Sequence, residues 1–381
     1  MKIILQKEKI LNAIKAVKGI VSSRGVQQIL SAILIETGEE DKIKLIATDL
    51  NLAISYTTEA KIEKSGKLAI SAKLLEEIIT KLPDGKDITI ELLEEDSNTV
   101  KIQSEKTKYE IISMDSSEFP SVFNTKGSDE EENVSFEIST KDLNKAIKQT
   151  AFSAVQNDVG GVLSGICFTI NENIMEMVAT DGNRLTRSRI PINSKGINKT
   201  FICAYRTLVE ISKLISLAQD KEIKFTIKGV KIIFEFKDIL FQSSLIDGTY
   251  PKYQQLIPTT NEKTAILNRD KFISSIDRIS VMVNTRTNIV KFNFEENSLE
   301  ISTDTPEAGS AKERLDIDYT SEELLIAFNY KYVLECLRNM TDTNVKIEMS
   351  TKLSAAVIKP SANENEECDD YLCLIMPVQV R

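Results

Sequence analysis

The sequence predicts an α+β protein made of three tandem copies of one domain, each with two helices packed on antiparallel sheets. Three observations carry this prediction. Amphipathic segments with apolar residues at helical spacing recur at 7–23, 139–158 and 268–284. Each is followed by two alternating apolar runs around a polar turn, a hairpin signature, and each hairpin ends in an aspartate: Asp49, Asp181 and Asp304. Those aspartates lie 132 and 123 residues apart, so the 381 residues hold three copies rather than one oversized core.

In the first helix Ile10, Ala13, Ile14, Val17 and Val21 form the apolar stripe; in the second, Leu143, Ile147 and Phe152 take that role. The hairpins read AILIETGEEDKIKLIATD, GICFTINENIMEMVATD and IVKFNFEENSLEISTD. Next in each copy comes a strand leading into a short helix, at 68–82, 201–215 and 325–340. A further strand follows each: DITIEL, EIKFTI and NVKIEM. The first two copies close on Phe119-Pro120 and Tyr250-Pro251, where proline stops a strand. The acidic stretch KGSDEEEN (126–133) and IPTTNEK (257–263) read as linkers, which sets the domains at 1–126, 127–257 and 258–381.

Composition narrows the function. Histidine is absent, which removes the commonest general base, the commonest metal ligand and every Ser-His or Cys-His nucleophile pair. The five cysteines are scattered without a CxxC pair and read as reduced, buried thiols rather than disulfides or a zinc site. No run of about 18 apolar residues and no signal peptide is present, so a cytoplasmic protein without a membrane role is expected. The net charge of −9 hides an asymmetry: the six helical segments sum to +9, leaving −18 on the rest. A solvated lysine face would explain this, and so would a helical surface turned toward a polyanion. Aromatic residues are sparse on the helices, so contact would be to phosphate and without sequence preference.

One stretch, MEMVATDGNRLTRSRIP (175–191), places Arg184 and Arg187 just past a tight polar turn. Alone, TDGNR reads as a hairpin exit with Gly182 supplying backbone freedom, and YLCLIM (371–376) as the last core strand. Together with DGTYPKYQQLIP (247–258), FNYKYVLECL (328–337) and Met376-Pro377, however, VATDGNRL (178–185) resembles the bacterial sliding clamps, the β subunits of DNA polymerase III, over the whole chain.

The resemblance implies three DNA-clamp domains per subunit and a head-to-tail homodimer that rings double-stranded DNA. It implies a non-catalytic processivity factor of DNA replication, with no cofactor, metal or catalytic residue. Its implied partners are the polymerase III alpha subunit, the clamp loader and other proteins carrying clamp-binding motifs. The implied peptide cleft comprises Leu163, Thr180, Gly182, Asn183, Arg184, Leu185, Pro251 and Leu256, with Leu353, Ala355, Leu374, Ile375, Met376, Pro377 and Val378 from the third domain. The implied DNA contacts are Arg24, Lys73 and Arg206, and the implied subunit seam joins Tyr109 and Ile111 to Val281 and Met282. The chain departs from the family pattern at Gly161 and Val162, where DNA-contacting tyrosines are familiar, at Asn183 in place of histidine, at Gln255 in place of arginine, and in its Val-Gln-Val-Arg ending.

Helix dimensions agree with two subunits. Six helices packed about 10 Å apart leave a hole of roughly 9 Å, below the ~12 Å of a major groove alone, whereas twelve leave roughly 28 Å. Two other classes make distinct predictions. An enzyme would use the carboxylates of ENEECDD (364–370) to bind a divalent ion, although that run also reads as a solvated loop. A repeat-built scaffold would have no enclosed basic channel.

Overall fold

The computed structural model describes residues 1–21, 27–94, 98–123, 134–194, 196–305, 309–361 and 368–379. The first repeat runs β1 (Lys2–Gln6), α1 (Lys7–Val17), β2 (Ala32–Thr37), β3 (Lys42–Thr48), β4 (Leu52–Glu59), β5 (Lys61–Lys64), β6 (Lys67–Ser71), α2 (Ala72–Lys81), β7 (Asp87–Glu94), β8 (Thr99–Ser104) and β9 (Thr107–Ile112). The second runs β10 (Val134–Ser139), α3 (Thr140–Thr150), β11 (Gly165–Asn171), β12 (Ile174–Thr180), β13 (Arg184–Pro191), β14 (Asn198–Ala204), α4 (Tyr205–Ala218), β15 (Glu222–Lys228), β16 (Lys231–Glu235) and β17 (Ile239–Ile246). The third runs β18 (Lys263–Asn268), α5 (Arg269–Ser280), β19 (Ile289–Glu295), β20 (Ser298–Thr305), β21 (Gly309–Asp316), β22 (Leu324–Asn329), α6 (Tyr330–Arg338), β23 (Asn344–Met349), β24 (Ala356–Ser361) and β25 (Tyr371–Ile375). The order is the same three times, apart from the extra β5.

A repeated clasp underlies the repeated order. The first residue of each leading helix ties that helix to the segment ending the second. Lys7 Nζ donates to the Leu82 carbonyl at 2.6 Å and its backbone N–H to Lys86. Thr140 Oγ1 donates to the Asp220 carbonyl at 2.6 Å and its N–H to Lys221. Arg269 Nη1 donates to the Met340 carbonyl and its N–H to Thr343. Three different side chains thus meet one demand: carbonyls at a helix end that lack a partner within the helix.

The chain condenses into two units, one of residues 1–140 with 210–245 and one of 141–209 with 246–381. In the first unit an antiparallel sheet runs β6-β2-β3-β4-β17-β16-β15-β10, so the first repeat's hairpin is extended by strands of the second. The second unit repeats the plan as β14-β11-β12-β13-β25-β24-β23-β18. Smaller antiparallel sheets, β5-β1-β7-β8-β9 and β21-β20-β19-β22, complete the units. Among the described residues no helix is long and apolar enough to cross a membrane.

The leading helices are shorter than their apolar periodicity suggests. α1 ends at Val17 and α5 at Ser280, and each chain then tightens into i→i+3 turns: Ile20 N–H to Val17, Met282 N–H to Ile279. Such turns keep Val283 facing the core, so the apolar pattern outlasts the α-helix. α3 stops at Thr150, not 158, because side chains of β13 take the next carbonyls. Thr186 Oγ1 donates to Thr150 at 3.2 Å and Arg184 Nη2 to Phe152 at 2.6 Å.

Candidate functional site: an apolar cleft beside the 181–185 turn

The turn is built by its threonine and aspartate. Asp181 Oδ1 accepts from the Asn183 and Arg184 N–H groups at 2.9 and 3.1 Å, and Thr180 Oγ1 donates to the Arg184 carbonyl at 2.6 Å. Gly182, at φ +88°, supplies the left-handed residue. The same closure occurs one repeat earlier. Asp49 Oδ1 accepts from Asn51 and Leu52 at 3.0 and 2.8 Å, and Thr48 Oγ1 donates to the Leu52 carbonyl at 2.7 Å. Thr180 is therefore consumed by the turn.

From the turn β13 pairs with β25, Arg184 opposite Ile375 and Leu185 opposite Leu374, and the Met376 N–H donates to the Asn183 carbonyl at 2.9 Å. Side chains alternate across a strand, so Leu185 and Leu374 enter one cluster with Cys167, Val178, Ile202, Tyr250, Tyr253, Val357 and Leu372. Leu163 and Ala355 pack at its margin. On segments that adjoin it in sequence, Leu256, Leu353 and Met376 are exposed at 57, 56 and 44%, with Pro251, Gly182 and Asn183 also exposed. An apolar floor with an apolar, partly open rim is the surface an extended peptide with apolar anchors needs.

One residue of the expected cleft sits elsewhere. Ile375 is fully buried in the third repeat's core with Phe272, Phe292 and Phe328, because it occupies the opposite face of β25 from Leu374. Val378 is half-buried and its N–H is tied to the Ala327 carbonyl at 2.8 Å, with Pro377 half-buried before it.

Arg184 is buried. Its Nε donates to Asp181 Oδ2 at 3.1 Å, Nη1 to the Glu335 carboxylate and Nη2 to the Phe152 carbonyl. The guanidinium lies 4.4 Å from the Tyr332 ring centroid and 5.2 Å from that of Phe152. Burial works to lower its pKa, and the Glu335 and Asp181 carboxylates outweigh that and raise it. Tyr332 and Glu335 lie in the 328–337 motif and Phe152 on the second helical segment, and only the fold brings them to Arg184. Arg187 is likewise engaged, its Nη2 donating to Asp370 at 2.9 Å, while Arg189 Nε donates to the buried Glu176 at 2.6 Å. Tyr253 OH donates to the other oxygen of Glu176. These arginines are spent on structure rather than presented to phosphate.

Of the acidic run 364–370, residues 364–367 lie outside the described residues. The remainder does more than add surface charge: Asp369 accepts from Lys145 and from Gln149 at 3.2 Å, and Asp370 from Arg187. Among the described residues no cluster of three or more acidic or sulfur ligands could hold a metal. Cys167, Cys203, Cys336 and Cys373 are buried free thiols and Cys368 is exposed. Burial pushes Cys167 up to about 11 and Cys203 up to about 12.

Of the expected DNA contacts, Lys73 is exposed on α2 and Arg206 on the first turn of α4, and Arg24 lies outside the described residues. Much of the helices' positive surplus is paired locally: Lys18 with Glu76, Lys213 with Glu210, Arg278 with Glu313 and Arg338 with Asp277. Among the described residues Lys73, Lys148 and Lys331 make no ion pair. Tyr109 and Ile111 sit half-buried on β9, an edge strand; Val281 is 81% exposed beyond α5, and Met282 is half-buried beside it.

Three repeats in one order, with strands of consecutive repeats sharing a sheet, define a DNA-clamp architecture. Family models for the DNA polymerase III beta subunit match its N-terminal domain to residues 1–123, its central domain to 137–252 and its C-terminal domain to 254–378. The beta sliding clamp of Vibrio cholerae is 26% identical over 382 residues, and that of Bacillus subtilis 27% over 391, each match covering all of both chains. The sliding clamp of Bartonella birtlesii, solved bound to griselimycin, superposes with a TM-score of 0.90 at 30% identity, again over all of both chains. The chain belongs to the DNA polymerase III beta subunit family, the beta sliding clamps. It is accordingly a DNA sliding clamp, a processivity factor that is not itself catalytic.

Proposed function

We propose that two copies of this chain close head to tail into a ring around double-stranded DNA, and that the cleft beside the 181–185 turn receives short extended peptides from its partners. The partners in this reading are the polymerase III alpha subunit, the clamp loader and other proteins with clamp-binding motifs, met in the cytoplasm. The observation that carries the cleft is the apolar cluster of Leu185 and Leu374, with Leu163 and Ala355 at its margin and exposed Leu256, Leu353 and Met376 on the adjoining segments. The griselimycin complex of the Bartonella clamp supports a ligand-accepting surface on this scaffold.

The ring seam would join Tyr109 and Ile111 of one subunit to Val281 and Met282 of the next. Two features favour it: β9 and β21 are both edge strands, and Met282 Cε packs 3.7 Å from where a side chain at Gly309, the first residue of β21, would begin. A heterologous contact of this kind closes if its rotation suits two subunits. Lys73 and Arg206, with Arg24, would face phosphate without reading sequence. The proposed domains are 1–126, 127–257 and 258–381.

The test is retention on nicked circular DNA at raised salt after loading, before and after linearisation. Retention on the circle with rapid loss from the linear form is expected. Equal loss from both, with loading confirmed, would overturn encirclement.

A further inference from the structure

The 181–185 turn does not need an arginine to close, since Leu52 occupies the equivalent position after Asp49 with the same hydrogen bonds. What Arg184 adds is a tie. It links the turn, through Asp181, to the segment after α3, through the Phe152 carbonyl, and to α6, through Glu335 and the Tyr332 ring. Each guanidinium nitrogen already donates, and the side chain is only 7% exposed. A buried guanidinium keeps its place only while its countercharges hold it. Asp181 lies within the turn and moves with it, whereas Glu335 is anchored on a separate helix. The turn in turn fixes one side of the cleft, because the Asn183 carbonyl receives the Met376 N–H at 2.9 Å and so sets the register of the rim beyond β25.

We propose that Glu335 is a positioning residue of the peptide cleft, acting through Arg184. It contributes nothing to the apolar floor; it holds the turn, and thereby Asn183 and Met376, in the arrangement that accepts a peptide. The inference rests on the reading that the cleft binds peptides. Loss of the carboxylate lowers the fraction of molecules whose turn is in place, and apparent affinity falls by that fraction.

The experiment follows a fluorescein-labelled extended peptide with Leu and Phe anchors binding to the full chain, with association and dissociation rates measured by stopped flow. The proteins are the unaltered chain, Glu335→Gln, Glu335→Ala, Arg184→Leu and the Arg184→Leu/Glu335→Ala double variant. Glu335→Ala is expected to weaken binding about tenfold, mainly in the association rate, with dissociation changed less than about twofold. Glu335→Gln, which keeps an acceptor without the charge, falls between; should the alanine variant fail to fold, it carries the same test. In the Arg184→Leu background, Glu335→Ala has no further effect, since the two residues act as one. Affinities of both Glu335 variants within about twofold of the unaltered chain would overturn the inference. So would an equal loss in the Arg184→Leu background. Failure of the unaltered chain to bind at all would instead overturn the cleft reading, and the inference with it.

Discussion

Gly165, the first residue of β11, offers a quantitative probe of the cleft floor. A Cβ placed there would lie 2.5 Å from Ile202 Cγ2, 2.8 Å from Ile246 Cδ1 and 3.0 Å from the Cys203 carbonyl oxygen. Carbon atoms rest about 3.5–4.0 Å apart, so Gly165→Ala requires a displacement of roughly 1 Å at Ile202. Ile246 can swing its terminal methyl aside. Ile202 has less freedom, because Cγ2 is attached directly to Cβ and moves only with χ1 or with β14, which is paired residue by residue to β11. Overpacking of this kind costs about 2 kcal/mol, which lowers the melting temperature of a unit this size by roughly 4–8 °C. Ile202 also packs in the cluster with Leu185 and Leu374, so peptide affinity should fall with stability. The first repeat shows a compensated version: Ala32 stands where Gly165 does, and Ala69 where Ile202 does. Scanning calorimetry on the full chain checks the Gly165→Ala variant, and a melting temperature within about 1 °C of the unaltered protein would refute the packing argument.

Met376→Ala should weaken peptide binding about fivefold, the loss of roughly 1 kcal/mol from an exposed side chain that a bound peptide would cover, read by fluorescence anisotropy. Alkaline titration should destabilise the protein. Burial raises the Cys167 thiol to about 11 and also raises the Tyr250 and Tyr371 hydroxyls, so the folded state holds those protons longer than the unfolded chain. Stability from Cys167 is full below pH 9 and is lost as pH rises from about 9 to 11, by roughly 1.4 kcal/mol per pH unit, and Cys167→Val should flatten the fall in melts across that range. Asn268→Ala removes the cap that accepts the Lys271 N–H at 3.0 Å and should cost about 1 kcal/mol, visible as a drop of roughly 2–4 °C.

The three copies were legible because local rules repeat: helical period, hairpin turns, and an aspartate closing each hairpin. The 178–185 motif was legible as a turn, and the turn's bonds are those its Thr and Asp dictate. Residues that act only through tertiary contact were not legible. Phe152 read as part of a helix to 158, yet its carbonyl leaves the helix ladder to accept Arg184. Glu335 lies within the 328–337 motif, yet it is 151 positions from Arg184 and nothing in the motif points to that partner. Ile375 read as cleft because a motif match does not show which face of a strand a residue takes. The paired state of Arg187 with Asp370, across 183 positions, was equally invisible.

The two strand-sharing seams have one backbone plan and different side chains. At each seam a strand leaving the aspartate turn pairs antiparallel with a strand of the next repeat: Leu52 opposite Ser243 in one, Arg184 opposite Ile375 in the other. Register then makes Gln242, Ser243 and Ser244 the counterparts of Leu374, Ile375 and Met376. The first seam is therefore polar where the second is apolar. It is also covered from within, since Val122 and Phe123 pack on the cluster of Leu34, Ile46 and Phe119, and Gln242 Nε2 donates to the Val122 carbonyl at 3.2 Å. In the second, Tyr253 and Ile257 pack on the cluster of Leu185 and Leu374, while Gln254, Gln255 and Leu256 between them are exposed. Backbone hydrogen bonds do not distinguish the seams. A handful of side chains does: Gln242, Ser243 and Ser244 at one seam, Leu374, Ile375 and Met376 at the other.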